Sequence, residues 1–325
     1  MSESFIDQLR ADGLITGSSA TLEPMKGGVS SDIYLLRDGE RSMVVKRALP
    51  KLKVESDWFA DVTRNETEWR FMKHVAKTNP SSVPEIISTG KDYFAMEYMG
   101  EEFANWKVSM LCGRFSTECA RMAGVFLSDV HRHSRENDAL AQEFDKMDAF
   151  WQLRIEPYFI AASEQHPELD TIFLEESERL GSANLALVHG DFSPKNILVS
   201  KDRMVVLDCE VANYGDPAFD VAFLLSHLFL KILYHRNYYK EMRSSVNAFL
   251  EAYGVFSLDF EARAGRLLLL LLMARVDGKS PVEYLTAESS KLYLRSFVRL
   301  QLIQNSKGLG DILEDWESGI KALRV

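Results

Sequence analysis

The sequence predicts an α+β fold of two lobes: a small antiparallel β lobe with one main helix, then a larger, mostly helical lobe. Three observations carry this expectation. Strand-like apolar runs dominate the first hundred residues, whereas helical periodicity dominates beyond Gly100. A single helix-patterned stretch, 63–77, interrupts the early strands. Short strands then return between 185 and 207, each beside an isolated carboxylate or amide. The expected division is 1–99 and 100–325.

Each element has a local reason. Ile33-Tyr34-Leu35-Leu36 and Met43-Val44-Val45-Lys46 flank Asp38-Gly39, a hairpin dipeptide. Trp69, Met72, Val75 and Ala76 recur at helical spacing, Thr63 and Glu66 fit a capping box, and Asn79-Pro80 stops the helix. Strands follow around Ile86-Ile87 and Tyr93-Phe94-Ala95-Met96. Ser116 then caps a helix whose apolar stripe is Cys119, Met122, Ala123, Phe126, Leu127 and Val130. Helical, charge-rich sequence runs to about Leu180, and short strands are expected at 185–188, 197–199 and 204–207. The remainder, 219–325, is helical, with breaks near Gly254-Val255 and at Asp277-Gly278-Lys279-Ser280-Pro281.

Composition excludes several classes. At 325 residues and 46% apolar content the chain can bury a large core, and its net charge of −10 argues against nucleic acid or an anionic membrane as partner. Three cysteines without metal-type spacing fit a reducing compartment, and the acidic start lacks the apolar region of a secretory signal, so a cytoplasmic location is expected. The longest apolar run, 267–274, is too short to span a membrane and reads as a helix buried on all sides.

The chemistry concentrates in Val188-His189-Gly190-Asp191-Phe192-Ser193-Pro194-Lys195-Asn196 and Val206-Leu207-Asp208-Cys209-Glu210. An Asp, an Asn five residues later and a second Asp after an apolar strand make up a phosphoryl-transfer arrangement. Asp191 would accept the attacking hydroxyl's proton, while Asn196 and Asp208 would hold magnesium. Lys46 closes a strand before the capped helix and would reach the α- and β-phosphates. Its carboxylate partner is Glu66 or Glu68; Glu68 is favoured because it lies four residues before Met72, beside the apolar face. Gly27, Gly28, Ser30 and Ser31 form a turn whose N–H groups would cover the phosphates. A Walker-type loop is excluded, because Met273 stands where Gly278-Lys279-Ser280 would need its first glycine. His131 and His133 are two apart on a helix, on different faces, which disfavours a metal site there. His189 is expected to anchor its loop.

Together these residues resemble the aminoglycoside phosphotransferase and choline kinase group of small-molecule kinases, relatives of the protein kinases. His189-Gly190-Asp191 with Asn196 looks like that group's catalytic loop, and Leu207-Asp208-Cys209-Glu210 like its metal-binding segment. Gly215-Asp216-Pro217-Ala218-Phe219-Asp220 resembles the start of the following helix. The resemblance implies a bilobal, protein-kinase-like fold with nucleotide binding in the first lobe and the acceptor pocket in the second. It implies ATP as donor, with GTP as an alternative, and Mg2+ as cofactor. It also implies that Asp220 holds the catalytic-loop backbone and that the backbone of Glu97 and Met99 meets the adenine. Ser193 stands where protein kinases carry a lysine and Gly190 where they carry an arginine, so a protein substrate is disfavoured.

Acceptor-binding candidates are Ser193, Glu210, Tyr214, Asp216, Arg275 and Asp277. Acidic groups among them would suit an amine, and Arg275 a carboxylate or phosphate. The expected activity is phosphate transfer to a hydroxyl of a small molecule such as an amino sugar, an amino alcohol or a thiosugar. The alternatives are a non-catalytic nucleotide-binding module or, less favoured, a protein kinase.

Overall fold

The computed structural model describes residues 2–25, 31–48, 64–254, 256–303 and 308–323. The chain forms two compact units, Met1–Phe103 with Ser200–Glu210, and Ala104–Val199 with Val211–Val325. The segment bearing Asp208 thus returns to the first unit, which a single linear boundary does not express.

In the first unit, β1 (Thr21–Pro24), β2 (Ser31–Asp38), β3 (Arg41–Ala48), β4 (Ile86–Thr89) and β5 (Tyr93–Glu97) form an antiparallel sheet in the order β1-β2-β3-β5-β4. Gly39, at φ +63°, supplies the left-handed residue of the β2–β3 turn. Strand side chains alternate between faces, and this sorts β3 into two sets. Met43 and Val45 join Leu36, Tyr93 and Ala95 in a core closed by Phe5, Leu9, Leu14 and Ile15. Those last residues belong to an N-terminal helix, Ser2–Ala11, and to the chain just after it. This helix departs from the strand-rich reading of the opening residues. Its signal is Phe5 and Leu9, one turn apart.

Lys46 lies on the opposite face of β3, toward the helix Arg64–Val75. That helix buries Glu68, Phe71, Met72 and Val75, which recur at i, i+3, i+4 and i+7. Glu68 is therefore delivered to the sheet by the same periodicity that packs the helix.

The second unit is mostly helical. Helix Thr117–Ser134 packs on Tyr239–Tyr253, and at Gly124 a side-chain Cβ would stand 2.4 Å from the Phe249 carbonyl oxygen. Only glycine permits that approach. Helix Ala218–Tyr234 is buried along nearly its whole length, as are residues 267–274 within Leu258–Asp277. The stretch Trp151–Ile160 is a π-helix containing Pro157. The proline has no N–H and its ring crowds the preceding turn, which favours a widened helix over a regular one. Ala186–Val188 pairs antiparallel with Asn213–Gly215, and Ala104–Asn105 with Ile197–Val199. Among the described residues no single helix is long and apolar enough to cross a membrane.

Candidate active site

In the first unit three charges meet. Lys46 Nζ lies 2.6 Å from Glu68 Oε2 and 2.8 Å from Asp208 Oδ1. Lys46 and Glu68 are buried, whereas the Asp208 side chain keeps 35% of its surface exposed. Burial alone would lower the Lys46 ammonium, but Asp208, Glu68 and Glu210 outweigh it and raise its pKa well above the usual lysine value. Burial also pushes the Glu68 carboxyl up to about 7, against the opposing pull of Lys46. Asp208 sits at φ +63°, a conformation uncommon for residues other than glycine and best tolerated by Asn and Asp. Such strain at a carboxylate facing outward from a buried cation fits a metal-ligating role. Glu66 instead pairs with Arg70 at the surface, 2.7 Å apart.

Ser31 is buried, and its hydroxyl donates to Asn65 Oδ1 at 3.2 Å, while Asn65 Nδ2 donates to the Lys46 carbonyl at 3.4 Å. This links β2 and β3 to the helix that carries Glu68. Gly27, Gly28, Ser30 and the capping residue Thr63 lie outside the described residues. The Glu97 N–H donates to the Glu85 carbonyl, so a contact with adenine would use the Glu97 carbonyl. The Glu97 side chain is held by Arg203 at 2.7 Å, and Met99 is buried.

In the second unit the loop around Asp191 is held from several sides. Asp191 Oδ2 accepts from Asn196 Nδ2 at 2.9 Å and lies 2.9 Å from Lys195 Nζ and 3.1 Å from Arg154 Nη2. Because Asn196 Nδ2 also donates to the Asp191 carbonyl, its amide oxygen is turned away from Asp191, as a metal ligand requires. The backbone is fixed separately. Asp220 accepts from the His189 N–H at 2.7 Å and from the Gly190 N–H at 2.9 Å, and His189 Nδ1 accepts from the Asp191 N–H at 3.1 Å. His131 bridges Asp220 and the Tyr253 hydroxyl, so it supports this network, and His133 bonds locally, to the Asp129 carbonyl. Gly190 has φ +73°, and an added Cβ would lie 2.6 Å from the Val211 carbonyl oxygen. No other residue fits there. Phe192 anchors the loop by stacking on Phe126, with ring centroids 5.6 Å apart.

The acceptor candidates divide. Asp216 is buried and spent on Arg179, Arg263 and the Ala218 N–H. Asp277 binds His166 and Arg295, and the Tyr214 hydroxyl donates to the Ser134 carbonyl. Glu210 belongs to the first unit, 3.7 Å from Arg64. Ser193 Oγ, Glu210 Oε2 and Arg275 Nε are buried polar atoms with no hydrogen-bond partner among the described residues. Cys209 is buried and forms no disulfide.

Two residues at Asp191 escape sequence reasoning. Lys195 lies inside the quoted motif, and its i, i+4 distance from Asp191 was a usable signal. Arg154 had none, since it reaches the loop from a helix far upstream.

The comparisons with known proteins complete the picture. The pattern of the phosphotransferase enzyme family matches residues 21–265. The chain belongs to this family. A methylthioribose kinase from Exiguobacterium sibiricum is 25% identical over 252 residues, covering 69% of this chain and 64% of that protein. The chain thus spans under two thirds of the length of this curated relative. Among solved structures, a choline kinase from Cryptosporidium parvum Iowa II superimposes with a TM-score of 0.55 at 14% identity, covering 96% of this chain and 99% of the other. A microcompartment-associated aminopropanol kinase gives 0.54 at 16%, covering 93% and 98%. The α+β fold, a β-sheet unit joined to a helical one, is that of the small-molecule kinases.

Proposed function

We propose that the protein is a small-molecule kinase that moves the γ-phosphate of a magnesium-bound nucleoside triphosphate, ATP or GTP, to a hydroxyl group. The observation that carries this reading is the Asp191 carboxylate, buried and fixed in orientation by Arg154, Lys195 and Asn196. A carboxylate so fixed can accept the hydrogen bond of an attacking hydroxyl and take its proton as the oxygen bonds phosphorus. The nucleoside diphosphate then leaves, and the acceptor departs as a phosphate monoester.

Lys46, set in place by Glu68, would meet the α- and β-phosphates. Asp208 and Asn196 would each offer magnesium a hard oxygen. Magnesium, when bound, neutralises charge on the β- and γ-phosphate oxygens. The family match and the likeness to a methylthioribose kinase support a thiosugar or other small alcohol as acceptor. Ser193 and Gly190 in the catalytic loop argue against a polypeptide acceptor. Three cysteines that form no disulfide suit a reducing, cytoplasmic setting.

The test is a transfer assay with magnesium and γ-labelled ATP or GTP across thiosugars, sugars, amino alcohols and hydroxy acids. Label should move to at least one small acceptor and not to added casein. Nucleotide binding without transfer to any acceptor, and without slow hydrolysis, would mark a binding module instead.

A further inference from the structure

Helix Ala218–Tyr234 carries a lysine with no access to solvent: Lys231 is 0% exposed. Its ammonium has three donors, yet its hydrogen bond among the described residues is a long one, 3.5 Å to the His227 carbonyl. The Tyr284 ring lies 5.1 Å away. Burial, then the like charges of Lys107 and Arg275, push this ammonium down to about 7, and the carboxylate acting against them is Glu283. Glu283 is exposed and already paired with Lys107. Beside this lysine two further donors are buried without an acceptor among the described residues, Arg275 Nε and the Tyr284 hydroxyl. The other side of Arg275 is held in place, its Nη1 donating to the Tyr158 hydroxyl at 3.2 Å and to Ser280 Oγ at 2.9 Å. Burial and the surrounding cations Arg275, Lys231, Lys195 and Lys107 keep His227 neutral by lowering its pKa well below the usual value.

A buried cation that is not compensated costs several kcal/mol, so a fold that keeps one either neutralises it or meets it with a bound anion. Two further buried donors without a partner among the described residues favour the anion. The cluster also connects to Asp191. Arg154, which holds Asp191, stands 5.9 Å from the Phe223 ring, and Phe223 packs on His227 at 5.3 Å. Lys231 follows one turn later. From Phe223 to Lys231 the helix rises about 12 Å.

We infer that Lys231, Arg275 and Tyr284 form a subsite for an anionic group, a carboxylate or a phosphate monoester, on the acceptor whose hydroxyl meets Asp191. The inference rests on the kinase reading and narrows it. It disfavours Asp216 and Asp277 as an amine site, because both are consumed by arginines and a histidine.

The first experiment is independent of catalysis. The full chain, without nucleotide, is titrated with inorganic phosphate and with acetate at pH 6.5 while its thermal midpoint is followed. At least one anion should raise the midpoint of the wild type, and Lys231→Met should abolish the rise. This variant is expected to remain folded, since it trades a buried charge for an apolar chain of similar length. Arg275→Gln should weaken the rise. An equal rise in Lys231→Met, or none in the wild type, overturns the subsite.

The second experiment compares matched acceptors with Mg·ATP, D-glycerate against glycerol and ribose 5-phosphate against ribose. The anionic member of one pair should have a kcat/KM at least ~10-fold higher, the scale of one lost charged contact. Lys231→Met should raise its KM and leave the nucleotide KM unchanged. The pair that shows the preference identifies carboxylate or phosphate. Neutral members turned over as well as anionic ones would overturn the inference and spare the kinase reading. Anion binding that depends on Lys231, with no transfer to any acceptor, would support the subsite and remove that reading.

Discussion

Arg154 Nη2 lies 3.1 Å from Asp191 Oδ2, and both side chains are buried. The arginine is delivered by the π-helical stretch Trp151–Ile160, and it also donates to the Gly190 carbonyl. One side chain thus fixes both the carboxylate and the backbone just before it. Arg154→Lys keeps the charge but loses the forked geometry. We predict a fall in kcat of about 10²-fold, the scale of a misplaced catalytic group, with nucleotide affinity unchanged. Steady-state kinetics beside nucleotide titration would check this. A change in nucleotide affinity alone would place Arg154 in a different role.

Asp220 holds the same loop from below. Asp220→Asn keeps the shape but replaces one acceptor oxygen with a donor, stranding either the His189 or the Gly190 N–H. The expected cost is about 1–3 kcal/mol, the penalty for an unsatisfied buried group. Urea denaturation should show it, together with a lowered kcat. A variant as stable and as active as the wild type would contradict this account.

Glu68 gives a pH dependence whose sign can be worked out. Burial raises its folded pKa to about 7, above the ordinary glutamate value of 4.5. The folded state therefore holds more protons than the unfolded state between these values. The contribution to stability is fully present below the unfolded pKa and is lost as pH rises through about 7. Thermal midpoints from pH 4.5 to 7.5 should show this decline, and Glu68→Gln should flatten it. Identical slopes in the two proteins would reject the assignment.

Much of this was legible in the sequence, for identifiable reasons. Lys46 and Glu68 could be read because strand alternation and helical period together dictate which faces they occupy. The Asp191 loop could be read because its residues are local. Arg154 could not, because a contact spanning so much chain leaves no spacing to detect. The N-terminal helix was missed because an acidic start masked the Phe5 and Leu9 pair. Asp216 looked like an acceptor ligand because a carboxylate before a helix has the same sequence whether it binds substrate or caps the helix. Only its arginine partners distinguish the two, and they come from distant helices.

The central claim is that Asp191 orients and deprotonates the acceptor hydroxyl. Its most direct measurement is the turnover of Asp191→Asn on the best acceptor, with nucleotide binding followed in parallel. The account predicts a loss of about 10²–10⁴-fold in kcat with nucleotide affinity largely retained. Full turnover in that variant would contradict it.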